Sequence, residues 1–270
     1  MRSLRAVFGI LLTGLLAAGC ASAQSQEAPG NGPKPNGDDE EKSYSEIITD
    51  EAVSDSGLFV VHTVEEKLYY EIPLEMLDRE MLLVSRRAST AQDLGYGGEK
   101  TNTQTVRWQK NREKALLRIV SYENVAADSL PIYEAVRSSN FEPIVSAFDI
   151  EAWNPDSSAI LIEATELFTD DVPILGLPAY VRENYKISSL DKDRSYLEWA
   201  KSFPENIEVR HVLTYKAKEP PSNSSTGSIS VEMNQSMVLL PEVPMQPRLY
   251  DERVGFFSVQ QVDYGLSDHK

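Results

Sequence analysis

Cysteine is nearly missing from this chain: Cys20 is the single one among 270 residues, so no internal disulfide can staple the fold. Histidine is scarce as well. His62, His211 and His269 are the only three, and none stands at ligand spacing from another, so the paired-histidine helix of a zinc hydrolase is absent. Basic residues are few against acidic ones, 26 Lys and Arg against 42 Asp and Glu, for a formal charge of −16. Such a chain repels phosphate backbones, which argues against nucleic acid as a partner. The apolar run Ala6–Ala18 is too short for a membrane helix, which needs about 20 apolar residues, and the chain turns polar soon after it, with Ser22, Gln24, Ser25, Gln26 and Glu27.

What is present at the N-terminus is the order of a secretory leader: Arg2 and Arg5, the apolar run, then small residues. Leu16-Ala17-Ala18-Gly19-Cys20 resembles a bacterial lipobox, while Ala21-Ser22-Ala23 would suit ordinary signal peptidase. The position of the lone cysteine favours the first, with residues 1–19 as leader and Cys20 as the site of lipid attachment. Each buried methylene of an acyl chain contributes roughly 0.8 kcal/mol, and stable anchoring takes more than one chain. Ala21 in place of Asp after the cysteine resembles outer-membrane sorting, so the expected location is the bacterial cell envelope, as an outer-membrane lipoprotein facing the periplasm or the cell surface. Loss of the leader removes Arg2 and Arg5 and takes the charge from −16 to −18.

Residues 20–42 read as a lipid-anchored disordered tether of Pro, Gly, Asn, Ser and acid, including Asp38-Asp39-Glu40-Glu41. As a flexible coil it would hold the rest on the order of 25 Å from the lipid. From residue 43 a period of two dominates. Ile207, Val209, His211, Leu213 and Tyr215 alternate with polar residues, as do Ile229, Val231, Met233, Met237 and Leu239. Shorter strands are expected at 57–62, 67–72, 81–87, 104–110, 114–122, 144–152 and 159–166, with hairpin turns at Asn111-Arg112-Glu113 and Asn154-Pro155-Asp156-Ser157. A helix is expected over Pro131–Ser139, stopped by Asn140. Ser195-Tyr196-Leu197-Glu198 fits a capping box for a second helix, with a strand as the alternative. The class is therefore mainly β with a few short helices, an antiparallel sandwich or curved sheet. Residues 43–250 form the β-rich module. Residues 251–270 read as the start of a following domain, with an apolar strand over Val254–Val259 that needs a partner.

No complete catalytic constellation shows. Gly95-Tyr96-Gly97-Gly98-Glu99-Lys100-Thr101 has the glycines of a phosphate loop, but Glu99 stands where a glycine must precede the lysine. A Gly-x-Ser-x-Gly elbow is lacking. The acid pairs Glu65-Glu66 and Asp170-Asp171 suit glycosidase or calcium chemistry, and 42 acids make such adjacency common by chance. Trp108, Tyr122, Trp153 and Trp199 would suit a binding face if exposed, and aromatics of this kind more often fill a core.

The wording of several segments is more specific than their periodicity. Ser85-Arg86-Arg87 followed by Gly95-Tyr96-Gly97-Gly98, Ser138-Ser139-Asn140-Phe141-Glu142-Pro143-Ile144, Ser202–Val209 and Met245–Phe257 resemble the N-terminal half of the large bacterial envelope zinc-dependent metallopeptidases. That half is a region of domains of unknown function. The resemblance covers Tyr44 onward and implies a non-catalytic accessory module that supports folding, substrate positioning or tethering of a metzincin-like zincin domain, in cis or in trans. The family's His-Glu-x-x-His-x-x-Gly-x-x-His would lie downstream, and no position of it occurs in this sequence. No catalytic, cofactor or metal residue is therefore carried over, and zinc is expected only in that downstream domain. The alternative is a stand-alone envelope lipoprotein that binds a glycan, a peptide or a protein partner.

Overall fold

The computed structural model describes residues 43–265, apart from 222, 223, 247, 249 and 256. The leader, Cys20, the tether and His269 lie outside the described residues. After a single-turn helix α1 (Tyr44–Ile47) come β1 (Val53–Ser56), β2 (Val60–Val64), β3 (Lys67–Pro73), β4 (Glu80–Ser89), β5 (Lys100–Asn111), β6 (Lys114–Val120) and β7 (Asn124–Val125). The chain continues through α2 (Tyr133–Ser139), β8 (Ile144–Asp149), β9 (Ala152–Trp153), β10 (Ala159–Glu163), α3 (Thr165–Thr169) and α4 (Ala179–Asn184). It closes with β11 (Ile187–Leu190), β12 (Tyr196–Phe203), β13 (Asn206–Ala217), β14 (Ser228–Leu239) and β15 (Val262–Asp263).

Two antiparallel sheets result, in the orders β1-β2-β3-β10-β9 and β11-β13-β14-β4-β5-β6-β8, with β12 paired to the first half of β13. The longer one is curled into a half-barrel. Period-two burial is what sets the strands against each other. On β13, Ile207, Val209, His211, Leu213, Tyr215 and Ala217 are buried, and on β14 so are Ile229, Val231, Met233, Gln235 and Met237. Because side chains alternate faces, this parity fixes the register. The main core lies between the sheets: Tyr70, Ile72, Ile160 and Ile162 from one, with Phe59 from the turn before β2, meet Met81, Val106, Trp108, Leu117 and Val209 from the other. Trp108 is fully buried, with Tyr70 edge-on at 6.3 Å and Phe148 at 5.7 Å. A second cluster, with Leu177, Val181, Leu213, Tyr215 and Met233, fills the far end of the longer sheet beneath α4.

One irregular segment, residues 170–178, crosses the buried face of the longer sheet, and its carbonyls need donors there. Ser85 Oγ and Asn102 Nδ2 both donate to Ile174 C=O at 3.0 Å, and Gln235 Nε2 donates to Leu175 C=O at 2.9 Å. Polar side chains at inward positions of β4, β5 and β14 are thus explained by the loop they hold.

Both expected hairpins form. Arg112 takes φ 55 between β5 and β6, and Asn154 Oδ1 accepts the Ala159 N–H across the β9–β10 turn. Helix α2 ends as expected, with Asn140 Nδ2 donating to Val136 C=O. Elsewhere the structure corrects the reading. Residues 195–198 do not start a helix but lead into β12, where Ser195 Oγ donates to Asp191 C=O and accepts the Thr214 N–H. A bulge between Leu197 and Trp199 brings Leu197 and Ala200 to the core together, and that three-residue apolar spacing is what imitates a helix. The stretch 144–152 is split, because the chain leaves the longer sheet after β8 and joins the other as β9. The stretch 159–166 turns helical after Glu163. Val254–Val259 forms no strand among its described residues. Val254 N–H instead closes a turn on Asp251 C=O, and Gly255 follows at φ 61. Further on, β15 pairs with β7 in parallel, the one exception to antiparallel pairing among the described strands.

Candidate functional site

The two described histidines are kept apart. His62 lies on the outer face of the shorter sheet beneath α1, whereas His211 lies inside, on the longer sheet. Among the described residues no group of three or more His, Cys, Asp or Glu is gathered as a metal site. His62 Nδ1 meets Ser54 Oγ at 2.7 Å and its Nε2 meets Glu71 Oε2 at 3.1 Å, an array made by register because Ser54 and His62 are direct cross-strand partners. Tyr44 Oη donates to the same Glu71 oxygen at 2.6 Å, and Asn154 Nδ2 donates to Oε1 at 3.0 Å. Burial first, and this carboxylate second, push the Tyr44 phenol upward. The order hydroxyl, imidazole, carboxylate is that of a nucleophile relay, yet both carboxylate oxygens are engaged and the network ties α1 and the β9–β10 turn to the sheet.

His211 is fully buried, edge-on to Phe168 at 5.7 Å, with Gln235 Nε2 2.9 Å from its Nε2. Burial presses its pKa down from 6.5 to about 4, so at neutral pH the ring is uncharged and accepts at Nε2. Between those two values the unfolded chain binds a proton that the folded chain refuses. Stability is therefore fully present above pH 6.5 and falls as the pH drops toward 4, by about 2 kcal/mol at pH 5. Urea unfolding at pH 7 and pH 5 should show this loss, and His211→Gln should lack that part of it. Equal pH dependence in the two proteins would contradict the assignment.

The acidic residues singled out in the sequence behave differently. Glu65, Glu66 and Asp170 line one groove of about 660 Å³, while Asp171 turns away to pair with Arg182. The groove follows from how the sheets meet. At one end Gly57 lies so close to β12 that a Cβ would sit 2.5 Å from Phe203 C=O. There Leu58 N–H donates to that carbonyl at 2.7 Å, and Ser202 Oγ donates to Phe59 C=O at 2.8 Å. Farther along, β2 and β12 part, and the gap is lined by Leu68, Leu197 and Ala200 of the core edge. Its rim carries Glu65 and Glu66 from the β2–β3 turn, Asp170 after α3, Lys192 and Asp193 from a short 3-10 turn, and Glu198 from the β12 bulge. Lys192 is already held by Asp170 at 2.6 Å.

Tyr196 and Trp199 add exposed aromatic surface beside the groove, 53% and 39% accessible. Arg210 lies over the Trp199 ring at 5.3 Å and donates to Glu232 at 2.7 Å. Partial desolvation, and then the neighbouring Glu232 carboxylate, hold the Glu198 carboxyl above the usual carboxylate range. Of the other aromatics considered, Trp108 is core, Tyr122 is exposed in the loop between β6 and β7, and Trp153 is exposed on β9, at the opposite edge of its sheet from β2. A second concavity of about 550 Å³ gathers Arg107, Arg118 and Arg137. There Arg107 is paired to Glu142, and Arg118 donates to Gln109 and to Glu142 C=O.

Sequence reasoning missed the groove. Its acids come from segments some 130 residues apart in the chain, and only the sheet pairing brings them together. The bulge at Glu198 was the local signal, disguised as helical spacing.

Fold and groove define a two-sheet, mainly antiparallel β module with an acid-rimmed cleft at the seam of its sheets. The chain belongs to the family described as Domain of unknown function (DUF5117), whose model matches residues 98–270, and residues 41–90 match Domain of unknown function (DUF5118). No curated protein and no solved structure matches the chain. The two matches meet in the loop between β4 and β5. Strand β4, from the first, is inserted between β14 and β5, both from the second.

Proposed function

We propose that this chain is the non-catalytic, envelope-anchored N-terminal module of a zinc metallopeptidase, tethered through Cys20 and docked to a zincin catalytic domain in cis or in trans. The motif resemblance supplies the identity of the partner. The structural observation that carries the reading is the stretch after β14, where Val243, Met245, Val254, Phe257 and Val259 are all at least 65% exposed. Five such side chains concentrated in one stretch support the reading of an interaction site. The second reading, a stand-alone envelope lipoprotein that binds a partner, draws on the groove beside β12.

The purified chain should leave casein uncut and retain less than one zinc after dialysis, because a catalytic zinc needs three protein ligands and an open position. Mixed with the catalytic domain encoded in frame or beside it, it should melt at a higher temperature, as binding to the folded state requires. One bound zinc with chelator-sensitive cleavage would overturn the non-catalytic assignment, and a gene with no zincin sequence in frame or adjacent would overturn the partner. In cells, labelled fatty acid should enter the protein and Cys20→Ser should abolish it.

A further inference from the structure

We infer that the groove between β2 and β12 captures an extended basic peptide, which adds as a strand to the free edge of β12 with its apolar side chains on Leu197 and Ala200. The inference stands on the groove alone and does not depend on the metallopeptidase reading. Three features specify the occupant. First, β12 is paired to β13 on one side, and on the other only residues 202 and 203 are engaged, by Asp55, Phe59 and Leu58. Among the described residues, no hydrogen bond reaches the outer backbone edge of Tyr196–Ala200. An unpaired edge is a template for an incoming strand, whose main chain supplies affinity while alternate side chains supply specificity.

Second, the floor of the groove is apolar where a strand would face the core, since the half-buried Leu197 and Ala200 pack on the main cluster beside the buried Leu68. Third, the rim is strongly negative: Glu65, Glu66, Asp193 and Glu198 stand beside the engaged Asp170–Lys192 pair. The seated Lys192 ammonium shows that an amine fits this rim. Glu198, whose ionised form is disfavoured by partial desolvation and then by Glu232, gains from an added cation. Acidic or phosphorylated ligands are repelled, and neutral glycans offer no charge to meet this one. Lysine or arginine alternating with apolar residues matches all three features.

The test is fluorescence anisotropy at low salt, with the purified full chain and a labelled peptide alternating lysine with leucine. The groove variant Glu65→Gln/Glu66→Gln/Glu198→Gln should bind about tenfold more weakly, equivalent to about 1.4 kcal/mol. A control of equal charge change on exposed acids outside the groove, Glu123→Gln/Asp128→Asn/Glu219→Gln, should lose less than about twofold. All six residues are exposed, so the variants keep the fold. Methylating alternate backbone nitrogens of the peptide should also weaken binding about tenfold, because it removes donors to the β12 edge. Absence of binding, equal losses in both variants, or a methylated peptide that binds as well as the parent would each overturn the proposal.

Discussion

Glu99→Ala lowers the unfolding free energy by about 3 kcal/mol, while Arg87→Met/Glu99→Leu recovers most of that loss. Arg87 occupies an inward position on β4, 2% exposed, and its guanidinium is paired to the Glu99 carboxylate. Gly95, at φ 73, roofs the pair so tightly that a Cβ there would collide with both charged groups. The loop backbone closes the site, with Arg87 N–H donating to Glu99 C=O at 2.9 Å and Gly98 N–H donating to Arg87 C=O at 2.6 Å. Removing the carboxylate leaves a buried guanidinium whose Nε already lacks a partner. Removing both charges leaves an apolar site of similar volume. Urea denaturation of the two variants at pH 7 measures the difference. A Glu99→Ala loss under about 1 kcal/mol, or a double variant weaker than the single one, would contradict this role.

The same pair shows what sequence could and could not convey. Glu99 is recognisable in the sequence as the residue that spoils a phosphate loop, and its real task, neutralising Arg87 twelve positions earlier, depends on the β4–β5 pairing. The long strands β13 and β14 are legible because their apolar residues repeat every second position over a buried face. Gln235 and His211 break that pattern, and the loop that Gln235 holds, 170–178, comes from between the two halves of the longer sheet, where no local signal announces it. Helices α3 and α4 are short, five and six residues, and are held by tertiary packing rather than by propensity. Leu167, Phe168 and Val181 are buried, and their spacing is too brief to read. The acidic groove is the extreme case, since adjacency in sequence gave Glu65 and Glu66 the same weight as Asp170 and Asp171, and only three of the four share it.

Segments that carry the family resemblance serve structure where they are described. Ser85 holds Ile174 C=O, Arg87 sits under Gly95, Asn140 caps α2, and Ser202 clamps Phe59 across the sheet seam. Two of these contacts, Ser85 to Ile174 and Ser202 to Phe59, join the two family-matched segments. Strand β3 of the first pairs with β10 of the second, and β4 lies between two strands of the second. Neither segment alone can pair all its strands, since β4 has no partner within the first and β5, β10 and β14 each lose one in the second, and neither can bury Tyr70, Met81, Trp108 and Met237 together, which share one cluster. Unpaired central edges and exposed core faces are what drive aggregation.

The most direct test of this account is to cut the chain in the loop between the two matches, 41–90 and 98–270, and to record the unfolding of each fragment and of their mixture. The account predicts that each fragment alone shows no cooperative transition, and that the two made together form a one-to-one complex that melts in a single transition. A second fragment that folds and melts cooperatively without the first would contradict it.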